Sequence, residues 1–148
     1  MRKLVILRGA MGCGKSTFIK ENHLENYTLS SDQLRLMYNS PQMNLMYSEE
    51  IPQFQNKKVW QLLYYLLEER MKKGEFTIID AVHAKNESFT IYKKLAEKYR
   101  YRLYLIDFTD IPKEEVYKRN LMRESYKIVP EYVIDRTYKT FSKEKINM

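Results

Sequence analysis

The sequence predicts an α/β fold: a parallel sheet of four to five strands with helices on both faces and an arginine-containing lid near the C-terminus. Three observations predict it. Gly9-Ala10-Met11-Gly12-Cys13-Gly14-Lys15-Ser16 fits the phosphate-binding loop pattern G-x-x-x-x-G-K-[ST] at every fixed position. Short β-branched or apolar runs alternate with segments of helical period along the 148 residues. Gly and Pro are scarce, at four each, so regular structure should dominate.

Taken in order, Leu4-Val5-Ile6-Leu7 is the first strand, apolar throughout as a buried parallel strand should be. The glycine loop follows, and residues 15–22 form a helix. This order suits a polyphosphate, because the glycines bend the backbone until several N–H groups point inward and the helix N-terminus adds partial positive charge. Gly9, Gly12 and Gly14 are the loop's fixed glycines, and Cys13 occupies a free position as a small filler. Lys15 would reach the β- and γ-phosphates, the Ser16 hydroxyl would complete the shell of a magnesium ion, and Thr17 is placed to meet the α-phosphate. This is the phosphate-loop NTPase type of α/β fold, with a nucleoside triphosphate and Mg2+ as the expected ligands.

Tyr27-Thr28-Leu29-Ser30 reads as a second strand, with Ser30 or Ser31 capping a helix from about Asp32. Asp32 and Arg35 then share one helix face at a strand's carboxyl end beside the loop, either as functional groups or as a local ion pair beside a cap. Residues 39–52, with Pro41, Pro52 and several methionines, read as a mobile, lid-like excursion. From residue 55 to 73, Val59, Leu62, Leu63, Leu66, Leu67 and Met71 recur at helical spacing as a core stripe, and Gly74 is the expected stop.

Phe76-Thr77-Ile78-Ile79-Asp80 is a third strand ending in a carboxylate. Asp80 is a candidate to hold magnesium through water or to orient an acceptor, the alternative being a strand-end cap. A helix over 86–99 and a strand over 102–108 follow, and Pro112 suits the first turn of the next helix. Arg119 and Arg123, four apart, would face the same way, as lid groups neutralising a transferring phosphoryl group or as a solvated helix face. Pro130 opens a last helix to about residue 141, and residues 143–148 are expected to fray.

Composition narrows the class. A chain of this length fits one domain. One cysteine allows no internal disulfide, and four apolar residues before Arg8 are too few for a signal peptide or membrane span, so the expected compartment is the cytoplasm. Lys and Arg total 26 against 19 Asp and Glu, a net charge of +7. With pI near 9.3, this favours a polyanionic partner such as nucleic acid, and the 13 tyrosines could stack on bases or simply pack. The guanine-reading N-K-x-D and the D-x-x-G of switch GTPases are missing from the required places, as is the acidic-Arg-aromatic motif of nucleoside kinases. A small phosphotransferase remains.

From Leu4 to about Phe141 the chain resembles the 5′-hydroxyl polynucleotide kinases, including their bacteriophage and bacterial RNA-repair members. The resemblance rests on Gly9 to Ser16, on Ser31-Asp32-Gln33-Leu34-Arg35, on Ile78-Ile79-Asp80, and on Lys118-Arg119-Asn120 with Arg123 and Val129-Pro130. It implies transfer of the γ-phosphate of ATP to the 5′-hydroxyl end of RNA or DNA in end repair, a setting compatible with a ligase or phosphatase partner or fused domain. It further implies that Asp32 is the general base, that Arg35 binds the acceptor's phosphate, and that Arg123, with Arg119 beside it, contacts the phosphates of ATP from the lid. Lys15 and Ser16 keep their loop roles.

The sequence departs from the family at Ala81-Val82-His83, where small polar residues are usual, which leaves His83 either gripping the acceptor's end nucleotide or lying idle on the surface. It also lacks the D-x-D-x-T phosphatase signature, so it is a stand-alone kinase or a piece of a longer repair protein. Two other classes remain: a small-molecule kinase acting on a sugar or nucleotide-sugar, and an ATP-responsive nucleic-acid-binding module without phosphotransfer.

Overall fold

The computed structural model describes residues 1–45 and 49–147. Its centre is β1 (Lys3–Arg8), flanked on both sides by parallel partners. The other strands are β2 (Thr28–Ser30), β5 (Thr77–Asp80) and β6 (Arg102–Asp107), in the order β2-β5-β1-β6. The four-strand end of the predicted range is therefore the observed one. Two further strands, β3 (Gln42–Met43) and β4 (Glu49–Glu50), form a separate antiparallel pair within the excursion expected over residues 39–52. Residues 46–48 of that excursion lie outside the described residues.

Six α-helices accompany the strands among the described residues: α1 (Lys15–Glu21), α2 (Ser31–Tyr38), α3 (Asn56–Lys72), α4 (Thr90–Tyr99), α5 (Lys113–Leu121) and α6 (Glu131–Lys143). Alternation along β1 distributes them. Leu4 and Ile6 point to one face and join Val59, Leu63, Leu67 and Met71 of α3, with Tyr92 and Leu95 of α4. Val5 and Leu7 point to the other face and meet Phe18 and Ile19 of α1. Both faces are thus covered, as a parallel sheet requires. A third cluster, built on Val116 of α5 and Ile134 and Phe141 of α6, packs beneath the phosphate loop against Ala10 and Cys13. The α3 stripe matches its sequence reading, and Gly74 takes the left-handed φ of +76° that ends such a helix cheaply.

Three boundary expectations are corrected. Pro112 stands at the N-cap position of α5, one residue outside the first turn, while Pro130 opens α6 from its N-cap as expected. α5 ends at Leu121, so Arg123 leaves the helix and its spacing from Arg119 is not helical. Residues 143–147 do not fray: the amide of Asn147 donates to Asn86 Oδ1 at 3.1 Å, the Asn86 amide donates to Glu144 Oε2 at 3.4 Å, Lys93 donates to the Asn147 carbonyl, and Ile146 packs on the main core.

The register positions the site. Leu7 pairs with Asp80 and Asp80 with Ser30, so β1, β5 and β2 end level and their following segments open into one crevice. Ligands of open α/β sheets bind in such a crevice, beyond the carboxyl ends of the strands.

Candidate active site

The loop leaving β1 depends on two glycines in conformations that side chains resist: Gly12 has φ +80° and Gly14 φ +112°. A Cβ on Gly14 would also lie 3.1 Å from Arg119 Nη1. Gly14→Ala is therefore expected to weaken ATP binding about 10-fold or more, since strain of this kind costs roughly 1–3 kcal/mol; equilibrium dialysis with labelled ATP would measure it.

Lys15 begins α1 and is 8% exposed. Its Nζ donates to the Gly9 carbonyl at 2.5 Å and lies 4.0 Å from Asp80 Oδ1. Burial pushes the Asp80 carboxyl above its ordinary value, Lys15 opposes that rise, and the charge of Asp32 adds to it. Cys13 is buried, and burial raises its thiol pKa, which suits a filler and not a nucleophile. Ser16 and Thr17 are exposed at the start of α1.

From β2, the Ser30 hydroxyl accepts the Gln33 amide at 3.3 Å and caps α2, which sets Asp32 in the first turn. Arg35 Nη1 donates to Asp32 Oδ1 at 2.7 Å and to Ser31 Oγ at 3.3 Å, while Nη2 donates to Asn56 Oδ1 at 2.6 Å. Its Nε is buried without a partner. The guanidinium is thus fixed from α2 and α3 together and keeps one donor in hand.

The arginine-bearing segment after α5 also borders the cleft. Arg119 Nη1 donates to the Cys13 carbonyl at 2.6 Å and its Nε to Glu115 Oε1 at 3.1 Å. Arg123 Nη1 donates to the Lys127 carbonyl at 2.7 Å. Burial lowers the Arg123 pKa, while the charges of Asp32 and Asp80 hold it up. Asn120, 2% exposed, donates through Nδ2 to the Val129 carbonyl at 2.7 Å and accepts the Val129 amide at 3.1 Å, latching the segment that carries Arg123. The Ser125 hydroxyl meets Glu49 Oε2 at 3.5 Å, so lid and β4 touch.

These groups enclose one cleft of 1660 Å³, lined by Lys15, Asp32, Arg35, Asp80 and Arg123 among others. The stretch Gly12 to Thr17 and Arg119 also line it, whereas Gly9 supports the loop from behind, tight against Cys13 and Phe108. Among the described residues no three His, Cys, Asp or Glu side chains converge as a metal cage. The Ser16 hydroxyl and Asp80 carboxylate are hard oxygen donors that both line the cleft, and donors of that kind fit magnesium, which takes its remaining ligands from phosphate and water.

His83 corrects both of its readings. It is 4% exposed, with a left-handed φ of +49°. The carbonyl of Leu7, 2.7 Å from Nδ1, can only accept, so Nδ1 carries the proton and Nε2 accepts the Tyr92 hydroxyl at 2.9 Å. The ring is not idle on the surface, and although it borders the cleft both of its nitrogens are taken up within the protein. Burial lowers its pKa from 6.5 to about 4. The folded state therefore holds this proton less readily than the unfolded chain. The resulting stability is complete above pH 6.5 and is lost as pH falls toward 4, up to about 3 kcal/mol. Urea unfolding across that range should show the loss, and His83→Gln should flatten it.

Sequence reasoning missed Arg8, Asn56 and Trp60. Arg8 is buried, donates to the carbonyls of His83 and Ala84 at 2.9 Å each and stacks 4.8 Å from the Phe141 ring, a brace beneath the site. Asn56 was hidden because an Asn opening a helix reads as a cap. Trp60 has helical spacing from Asn56, the one available signal that both share a face of α3.

A family model described as an AAA domain matches residues 4–144. Among solved structures, a chain of the Pnkp1/Rnl/Hen1 RNA repair complex superposes with TM-score 0.74 at 24% identity over 95% of this chain. A chain of a second Pnkp1/Rnl/Hen1 complex gives 0.61 at 26% over 79%. A structure from Chloroflexus aurantiacus J-10-fl, described as a candidate kinase, gives 0.62 at 15% over 82%. The chain spans 44% and 38% of the lengths of the two Pnkp1/Rnl/Hen1 chains and 66% of the third. No curated protein gives a significant match.

Proposed function

The chain belongs to the AAA-domain family, and we propose that it is an ATP-dependent 5′-hydroxyl polynucleotide kinase. Its fold is that of the phosphate-loop kinases. The reading rests on one observation: the phosphate loop with Lys15 and the Asp32–Arg35 pair line a single cleft. Such an arrangement suits in-line transfer, with cations on the donor, a carboxylate beside the nucleophile and a cation for the acceptor's phosphate.

In this reading Lys15 and the loop amides hold the β- and γ-phosphates, and Arg123 and Arg119 clamp them from the lid. Asp32 takes the proton of the 5′-hydroxyl as that oxygen bonds to the γ-phosphorus, the bond to the β–γ bridging oxygen breaks, and ADP leaves. Arg35 binds the phosphate that follows the terminal nucleoside. Magnesium, held by Ser16 and Asp80, would supply charge neutralisation on the phosphates. The basic surface, net charge +7, favours a polynucleotide over a neutral sugar. Two similar structures are of Pnkp1/Rnl/Hen1 complexes, one described as an RNA repair complex, which supports RNA end repair as the setting. Among the described residues no helix is long and apolar enough to cross a membrane.

The test is transfer of label from γ-labelled ATP to matched RNA and DNA oligonucleotides bearing a 5′-hydroxyl or a 5′-phosphate, with and without magnesium. The expected result is magnesium-dependent labelling of the 5′-hydroxyl strands alone. Labelling of free sugars or nucleosides in their place, or ATP binding with no transfer, would overturn the proposal.

A further inference from the structure

His83 borders the cleft but is almost fully buried, with both ring nitrogens engaged within the protein, whereas its neighbour Trp60 is only partly buried and lines the same cleft. Resting on the kinase reading above, we infer that Trp60 is the stacking platform for the 5′-terminal base and so a specificity-determining residue for the acceptor.

Trp60 lies on α3, is partly buried and lines the cleft. Its ring is held from two directions: Tyr64 lies 5.7 Å away, tilted by 40°, and His83 6.1 Å away, edge-on at 68°. His83 is itself immobilised by Leu7 and Tyr92, and its ring is 5.5 Å from that of Tyr92. The indole therefore keeps a defined orientation before any ligand arrives, which lowers the ordering cost of stacking on it.

Its neighbours supply the rest of a nucleotide. Asn56, one turn earlier on α3, holds Arg35 Nη2 at 2.6 Å, and Arg35 Nη1 holds Asp32 at 2.7 Å. Residues four apart lie on one helix face, so the phosphate-directed guanidinium and the indole are presented in a single row. Base–aromatic stacking is sequence-tolerant, because every base has a π-face. Trp60 would thus favour an acceptor with a terminal base of any identity over one without.

Trp60 is the chain's one tryptophan, so its fluorescence reports directly on the platform. Titrating the full chain with a 5′-hydroxyl oligonucleotide should quench that emission, and the same strand with an abasic 5′-terminal residue should quench far less. In transfer assays, Trp60→Leu, which keeps an apolar side chain against the core, should raise the KM for the normal strand roughly 10-fold or more. It should also erase discrimination against the abasic strand. Trp60→Phe should restore both, and ATP affinity should be retained in both variants as evidence of folding. If wild-type protein phosphorylates the strands but Trp60→Leu keeps the KM and the abasic discrimination, the platform is overturned and the kinase reading stands. If wild-type protein labels no oligonucleotide, both fall together.

Discussion

Asp32→Asn is expected to cut the rate of phosphoryl transfer by on the order of 10²–10⁴, the usual contribution of a positioned general base, while leaving ATP binding in place. The substitution suits the question because an amide oxygen can still accept the Arg35 Nη1 hydrogen bond now made at 2.7 Å. The geometry of the pair survives and only the capacity to take a proton goes. Arg35 also keeps Ser31 and Asn56, so the phosphate-directed cation stays where it is. Single-turnover transfer alongside an ATP-binding isotherm measures the two effects separately. A variant that still transfers at the parent rate would remove Asp32 from its role. One that lost ATP binding as well would mean that the carboxylate shapes the nucleotide site through Asp80 and Arg123, whose protonation it biases.

The groups set by local pattern were legible in the sequence. The phosphate loop is contiguous, Asp32 and Arg35 are three apart on a capped helix, and Asp80 ends an apolar strand. Helices on both faces also followed, since β1 is apolar at every position from Leu4 to Leu7. What stayed hidden depends on contacts far apart in the chain. His83 was misread because its burial is decided by the Leu7 carbonyl, 76 residues away, and by a left-handed backbone that no local motif announces. The order of the C-terminal segment is invisible to local pattern because its partners, Asn86 and Lys93, lie more than 50 residues upstream. Arg123 escaped helical spacing because α5 stops at Leu121, and its position is set instead by the latch between Asn120 and Val129.

Lys15→Ala should reduce transfer by about 10²–10³, as loss of one cationic or hydrogen-bonding group at developing charge does elsewhere, and unlike Asp32→Asn it should weaken ATP binding too. It carries a second consequence that tests the electrostatics of the apo site. Lys15 is the leading group that offsets the burial of Asp80, with Nζ 4.0 Å from the carboxylate. Removing it pushes the Asp80 pKa, already above its ordinary 3.8, further up. A carboxyl whose folded pKa is raised favours the folded state at acid pH, and that contribution is lost as pH rises through the folded value. Lys15→Ala should therefore be less stable than the parent at neutral pH, and the gap should narrow as pH falls toward the ordinary carboxylate range. Adding Asp80→Asn to Lys15→Ala removes the buried charge and should recover much of the neutral-pH loss in urea unfolding without recovering transfer. A gap that stays constant across pH, or a double variant no more stable than the single one, would show that Lys15 contributes through packing in the loop and not through its charge on Asp80.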